Sequence, residues 1–392
     1  MASNFNAANA SLLQQHPHRR YNPLLDQWII VSPHRIQRPW EGKTETTKAS
    51  APPTHETESE SENVSKFDKP NPLTPGAIRP NGIQNPEYTS TFLFDNDFPA
   101  LRPEEVVLDS SDEDKDGSPL FRVKPGRGLC KVMCFHPSSS LQLATMPHSD
   151  IVLVINEWIR IFNELSSQFQ WIQIFENKGA IQGCSNPHPH CQIWACDFMP
   201  NDPETKQRTQ LQYYRQRGTQ MLMDYAEQEL QKGSRMVLKN FHWIIVVPFW
   251  AMWPYETLLL PRRRHIKRLC DLNCNEIQSL ACIMKRMLVK YDNLFQCSFP
   301  YSFGFQGAPT GSFLNEPCEH WQLHASWLPP LLRSATVKKF VAGFELLCEV
   351  QRDISPELAA ETLRNLPEIN FSANQACNDL HSSSQCKCEI ME

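Results

Sequence analysis

Between Cys184 and Trp194 the chain reads CSNPHPHCQIW, which sets His188, His190 and Gln192 at alternate positions. Alternate residues of a β-strand share a face, so the two imidazoles and the amide point the same way. Pro187 and Pro189 fix φ just before them and hold the His190 imidazole in advance. Such an imidazole can be a packed core group, a metal ligand or a nucleophile. A metal needs further ligands, and an amide is a poor one. Attack on phosphorus accounts for the amide. A leaving group that is itself a phosphate departs as a stable anion and needs no general acid at position 192. Gln192 can still donate a hydrogen bond to the phosphoryl oxygens, and it offers water no base that would release a phosphohistidine. Cys184 and Ser185 lie just upstream, where the Ser185 hydroxyl can bind the same oxygens. His16-Pro-His18 has the same tripeptide without a strand or glutamine after it, and is read as an ordinary surface segment.

Strand signals stand at QWIIVS (27–32), YTSTFLF (88–94), KVMCF (131–135), WIQIF (171–175), CQIWA (191–195) and WIIVVPF (243–249). Helical periodicity covers 151–168, 205–232, 275–295 and 337–352. Strand-rich blocks with helices between them predict an α+β fold, an antiparallel sheet backed by helices. The run from His320 through Trp321, Gln322, Leu323 and His324 to Ser326 echoes the run from His188 to Trp194. Each follows a helix and an apolar strand, the mark of a duplicated unit whose second copy has no nucleophile.

With 392 residues, 41% of them hydrophobic, the chain can bury one large or two ordinary cores. A formal charge of −5 gives no basic surplus for nucleic acid or an anionic membrane, so small-molecule partners are expected. The first twenty residues lack the charged and apolar regions of a secretory signal. The apolar stretch 242–261 is broken by Pro248, Pro254 and Glu256, and reads as two buried strands and not as a membrane span. Fourteen irregularly spaced cysteines read as buried thiols of a reducing compartment, and the cytoplasm is expected. Residues 41–75 are polar and proline-bearing, a loop or linker, and the acidic run 109–118 is a solvated loop. The tail after Phe371, with Cys377, Cys386 and Cys388, has no apolar periodicity and reads as a disordered end.

These residues together resemble the galactose-1-phosphate uridylyltransferase family, a transferase branch of the histidine-triad superfamily. The runs that carry the resemblance include HPHRRYNPL, STFLFDNDFPAL, GCSNPHPHCQIWA, WPYETLLLP, HWQLH and PPLLRSATVKKF, spread from about His16 to Phe371. The resemblance implies two histidine-triad-like units forming a half-barrel sheet: 76–204 with the nucleophile, preceded by an N-terminal strand segment (1–40), and 205–371. It implies a ping-pong reaction of galactose metabolism, in which UDP-glucose gives UMP to His190 and galactose 1-phosphate takes it away as UDP-galactose. Gln192 would steady the intermediate, with Cys184 and Ser185 beside it. Arg35 and Arg38 would lie near phosphate, where a planar guanidinium fork suits the oxygens. Uridine would meet Arg79, Asn96, Asp97 and Asn177. The sugar phosphate would meet Lys339, Glu345 and Gln351 of a second subunit, which makes a homodimer with shared sites. Two other readings remain: a relative using adenine nucleotides, or a non-catalytic sugar-nucleotide-binding scaffold.

Several positions depart from the family pattern. Where metal-bearing relatives place two cysteines and two histidines, this chain has Asn71, Thr74, Ser139 and His188. Where they place a glutamate and three histidines, it has Lys206, Gln306, His324 and Ser326, with Glu204 near enough to compete for the first place. One plausible ligand per site cannot hold zinc or iron, so no metal and no other cofactor is expected. Phe344 and Ala342 replace the usual tyrosine and valine, which bears on hexose selectivity.

Overall fold

The computed structural model describes residues 12–37, 71–104 and 120–373. Its strands in the first half are β1 (His18–Asn22), β2 (Gln27–Val31), β3 (Phe92–Asp95), β4 (Val123–Pro125), β5 (Gly128–Cys134), β6 (Trp171–Lys178) and β7 (His190–Cys196). The second half supplies β8 (Met236–Lys239), β9 (Trp243–Val246), β10 (Thr257–Pro261), β11 (Tyr301–Gln306) and β12 (His324–Leu328). The principal helices are α1 (His148–Ser166), α2 (Asn201–Arg217), α3 (Met221–Lys232), α4 (Cys274–Phe295) and α5 (Pro356–Arg364). One small sheet has the order β2-β1-β4, and the other nine strands form a continuous antiparallel sheet, β3-β5-β7-β6-β11-β12-β10-β9-β8.

The large sheet contains one pattern twice. In chain order β3, β5, α1, β6, β7 give the spatial order β3-β5-β7-β6, and β9, β10, α4, β11, β12 give β9-β10-β12-β11. The copies join through β6 and β11, where Phe175 pairs with Gly304. A Cβ on Gly304 would stand 3.1 Å from the Ile174 carbonyl oxygen and 2.9 Å from the Gln173 amide nitrogen, so this close joint takes glycine.

Register then sorts the faces. Ile172, Ile174, Cys191, Ile193, Phe303, Phe305, Ala325 and Trp327 are buried with residues of α1 and α4 in the main core. In α1 the buried residues Ile151, Val154, Ile155, Trp158, Ile161, Phe162 and Leu165 recur at helical spacing and make one apolar stripe. Trp158 is fully buried there, and its truncation to alanine should cost about 3–5 kcal/mol. The helix α4 starts at a capping box, Asn273 accepting from the Glu276 amide while Glu276 accepts from the Asn273 amide. The opposite face of the sheet carries His190, Gln192, Trp194, Asn177, Ser302, Gln306, His324 and Ser326.

Four expectations need correction. Periodicity from 205 to 232 is two helices, because α2 ends at Gly218 with φ +74, a left-handed cap whose amide bonds to Tyr214. The helix expected over 337–352 is a single turn, Phe344–Leu347. Phe340, Phe344, Leu346 and Leu347 are exposed, so the segment has no buried face to repay helix formation. His16-Pro-His18 is no surface segment: His18 and Arg19 are buried, since β1 is the central strand of its sheet and Arg19 lies 4.0 Å over the Phe198 ring. The echo between the halves is also offset by two residues. His190 and His324 each open a strand, so His190 corresponds to His324 and His188 to Gln322. The segment 242–261 does contain two buried strands, β9 and β10, and among the described residues no helix is long and apolar enough to cross a membrane. The acidic run 109–118 and Cys377, Cys386 and Cys388 lie outside the described residues.

Candidate active site

His190 Nδ1 lies 2.7 Å from the His188 carbonyl oxygen. A carbonyl only accepts, so Nδ1 carries the proton and Nε2 the free lone pair. Burial lowers the His190 pKa, which favours the neutral ring. Behind it, the amide of Phe135 on the neighbouring strand's end donates to Pro189 O at 2.9 Å and fixes the start of β7.

Two amides flank the imidazole. Gln192 pairs with Phe175 on β6, and its Oε1 accepts from Trp194 Nε1 at 3.2 Å. Continuing that register places Asn177 opposite His190, and Asn177 Oδ1 accepts from Ser302 Oγ at 2.8 Å. Cys184 Sγ donates to Asn186 O at 3.0 Å, and burial raises its pKa, so it is a thiol and no competing nucleophile. Ser185 is exposed on the connection that leads into β7.

The other expected binding residues fall into separate groups. Arg79 is buried against the Phe94 ring at 4.3 Å and pairs with Asp97 at 2.7 Å, while Asn81 donates to the same carboxylate at 2.7 Å. Burial raises the Asp97 pKa and the Arg79 charge opposes it. Asn96 lies between, its Oδ1 accepting from the Phe98 amide at 2.9 Å. This group sits at the end of β3, two strands from β7. Arg35 lies in the 3₁₀ turn Pro33–Gln37, which Ser32 and His34 tie to Ala100 O at 2.7 Å and Pro99 O at 2.8 Å. Arg38 lies outside the described residues. Lys339, Glu345 and Gln351 meet one another: Lys339 Nζ donates to Glu345 Oε1 at 2.6 Å and to Gln351 O at 2.8 Å.

Neither set of departed metal positions fits an ion. Tyr88 gives its one hydroxyl proton to Leu73 O at 2.5 Å, so His188 Nε2, 3.1 Å away, donates to Tyr88. His188 Nδ1 then accepts from Ser139 Oγ at 2.8 Å. Both ring nitrogens are used, and burial pulls the His188 pKa down to about 4. Asn71 and Asn186 exchange amide bonds of 2.8 and 3.0 Å, and Thr74 Oγ1 donates to Asn71 O at 2.7 Å. At the second set it is Lys206, and not Glu204, that reaches the sheet. Its ammonium donates to Gln306 Oε1 and lies 3.4 Å from His324 Nε2. His324 Nδ1 is 2.9 Å from Gln322 O, so Nε2 presents its lone pair to the ammonium. Burial first, and then the Lys206 charge, lower the His324 pKa to about 3. Among the described residues no group of three or more His, Cys, Asp or Glu side chains is arranged to hold a metal ion.

The motif gave neither Trp194 nor Ser302 a role. Trp194 was within reach, since it stands two residues after Gln192 on the same strand face. Ser302 comes to Asn177 from a strand 125 residues away, and nothing local announces it.

Residues 8–200 match the family model described as galactose-1-phosphate uridyl transferase, N-terminal domain, and residues 206–375 match the C-terminal domain of the same family. The chain is 50% identical over 375 residues to the galactose-1-phosphate uridylyltransferase of Rattus norvegicus, covering 96% of this chain and 93% of that protein. It is 53% identical over 353 residues to a probable galactose-1-phosphate uridylyltransferase of Drosophila melanogaster, covering 90% and 96%. A solved uridylyltransferase superposes with a TM-score of 0.70 at 22% identity, over 92% of this chain and 99% of that one. An ADP-glucose phosphorylase from Arabidopsis thaliana with bound ADP-glucose superposes at 0.61 and 20% identity, over 90% and 99%. At those identities the two structures share the fold alone.

Proposed function

The chain belongs to the galactose-1-phosphate uridyl transferase family, and from that premise we propose that it moves UMP from UDP-glucose to galactose 1-phosphate through a uridylyl group on His190. In the first step His190 Nε2 attacks the α-phosphorus. The bond from phosphorus to the bridging oxygen breaks, and that oxygen leaves with the electron pair as glucose 1-phosphate. In the second step a phosphate oxygen of galactose 1-phosphate attacks the same phosphorus, the P–N bond breaks, and Nε2 regains its lone pair. No proton transfer is needed at either step, because both leaving groups are stable as they depart.

The observation that carries this reading is the tautomer of His190. With Nδ1–H held by His188 O, Nε2 is a neutral nucleophile on the sheet face away from the main core, beside the Gln192 and Asn177 amides. The test is mass spectrometry after mixing with UDP-glucose or ADP-glucose. A uridylyl adduct on His190 is the expected outcome; an adenylyl adduct or an unmodified chain overturns it. Arg79, Asn96, Asp97 and Asn177 are assigned to uridine, and Arg35 with Arg38 to phosphate. Cys184 and Ser185 are assigned to the phosphoryl edge, where a hydroxyl can donate to its oxygens.

Lys339, Glu345 and Gln351 are assigned to the sugar phosphate of a second subunit. The exposed apolar side chains around them, Phe340, Phe344, Leu346 and Leu347, support a covered surface there. A monomer by sedimentation overturns this homodimer.

The enzyme is proposed to work without a bound metal. In support, both nitrogens of His188 already have partners, and the ammonium of Lys206 holds the place before His324 Nε2 where a cation would sit. Stoichiometric zinc or iron in the purified protein overturns this.

A further inference from the structure

The role given to Gln192 depends on which end of its amide faces the phosphoryl group, and this inference rests on that role. The NH2 end donates to phosphoryl oxygens, whereas the oxygen end would set acceptor against acceptor. In isolation the two ends are nearly the same size and shape, so something must choose between them. The indole of Trp194 can choose, because its N–H is a donor with no lone pair. It lies 3.2 Å from Gln192 Oε1, so the amide turns its oxygen to the indole and its nitrogen away.

Trp194 is itself held. It stands on the same face of β7, its ring meets the Phe175 ring edge-on at 5.7 Å, and Phe175 is the cross-strand partner of Gln192. Its other side packs on the cluster that includes Trp171, Cys130, Cys196 and Trp321. The donor is therefore fixed by rigid aromatic neighbours, and is itself part of the strand that carries His190 and Gln192.

We propose that Trp194 is a positioning residue for uridylyl transfer, its indole N–H locking the Gln192 amide with the NH2 group toward the phosphoryl oxygens. Trp194→Phe keeps an aromatic ring on Phe175 and removes the N–H, which frees the amide to turn over. One neutral hydrogen bond of ordinary net strength corresponds to a loss of about five- to tenfold in rate.

The test is a double-mutant cycle read by single-turnover uridylylation from UDP-glucose and by discharge of the adduct to galactose 1-phosphate. Trp194→Phe is expected to slow both steps about five- to tenfold with the apparent affinity for UDP-glucose unchanged. Gln192→Ala should be slower still, and adding Trp194→Phe to it should slow it no further, since the group that Trp194 orients is gone. Equal slowing by Trp194→Phe in both backgrounds overturns the proposal in favour of packing alone, as does a wild-type rate for Trp194→Phe. A wild-type rate for Gln192→Ala is a different failure, that of the role assigned to Gln192, and takes this proposal with it.

Discussion

His190 and His324 are the same imidazole placed in two halves of one sheet, with different neighbours. Each opens its strand, and each gives its Nδ1 proton to the carbonyl two residues earlier, at 2.7 and 2.9 Å. Each also has an amide on the adjacent strand, Asn177 beside His190 and Gln306 beside His324. The copies part at Nε2. On β7 that nitrogen lies on the face away from the main core with Gln192 next along the strand, and on β12 it faces the Lys206 ammonium. A lone pair engaged by an ammonium cannot attack phosphorus. Duplication thus provides two locked imidazoles, one proposed as the nucleophile and one turned to holding α2, which follows directly from β7, against the second half.

The strongest way to break this comparison is to remove each ring in turn. His190→Ala should abolish the covalent adduct and lower turnover by at least about a thousandfold, as loss of a nucleophile does. His324→Ala should still form the adduct on His190, because its Nε2 takes no part in transfer. An adduct that survives His190→Ala, or one that vanishes with His324→Ala in a folded protein, would reverse the roles of the two halves.

A smaller effect sharpens the role of Lys206. Lys206→Met keeps the length of the side chain and leaves Gln306 Oε1 and His324 Nε2 buried without their donor. Two such orphaned acceptors should cost about 2–4 kcal/mol in total, read as a lower denaturation midpoint, while uridylylation of the folded fraction persists. A variant as stable as the parent would mean that the ammonium ties nothing down.

The comparison was only half legible from the sequence. Alternation and the paired prolines announced β7 and the shared face of His190 and Gln192, because period-two signals are local. The partner of that imidazole in the second half was placed two residues early, since short similar runs slide until strand starts are known. Burial of His18 and Arg19 could not be read from HPHRR, because β1 becomes central only when β4, a hundred residues on, pairs with it. The break at Gly218 was within reach, as glycine there ends α2, whereas the exposed single turn at Phe344–Leu347 fails for want of a packing partner that no local pattern records. Which of Glu204 and Lys206 faces the sheet was settled by helix phase.

The smallest expected effect lies at the joint between the halves, on the core face. By the correspondence of His190 with His324, Glu176 on β6 answers to Phe305 on β11, a carboxyl where the other copy has a ring. Glu176 is buried and accepts from Tyr301 OH at 3.0 Å. Burial pushes its pKa up to about 7, against the opposing pull of Lys178 and Tyr301. The unfolded carboxyl releases its proton near the ordinary value of 4.5, so between these two values the folded state holds a proton that the unfolded state has lost. Stability therefore falls as pH rises through that window and levels off above about 7. Glu176→Gln removes the titration and keeps the polar contact to Tyr301. Relative to the parent it should gain on the order of 2 kcal/mol in going from pH 5 to pH 7, measured by denaturant unfolding at each pH. Parallel stability curves for the two proteins would mean that the carboxyl ionises as freely as an exposed one, and that the two halves do not differ in their core as they do on the opposite face.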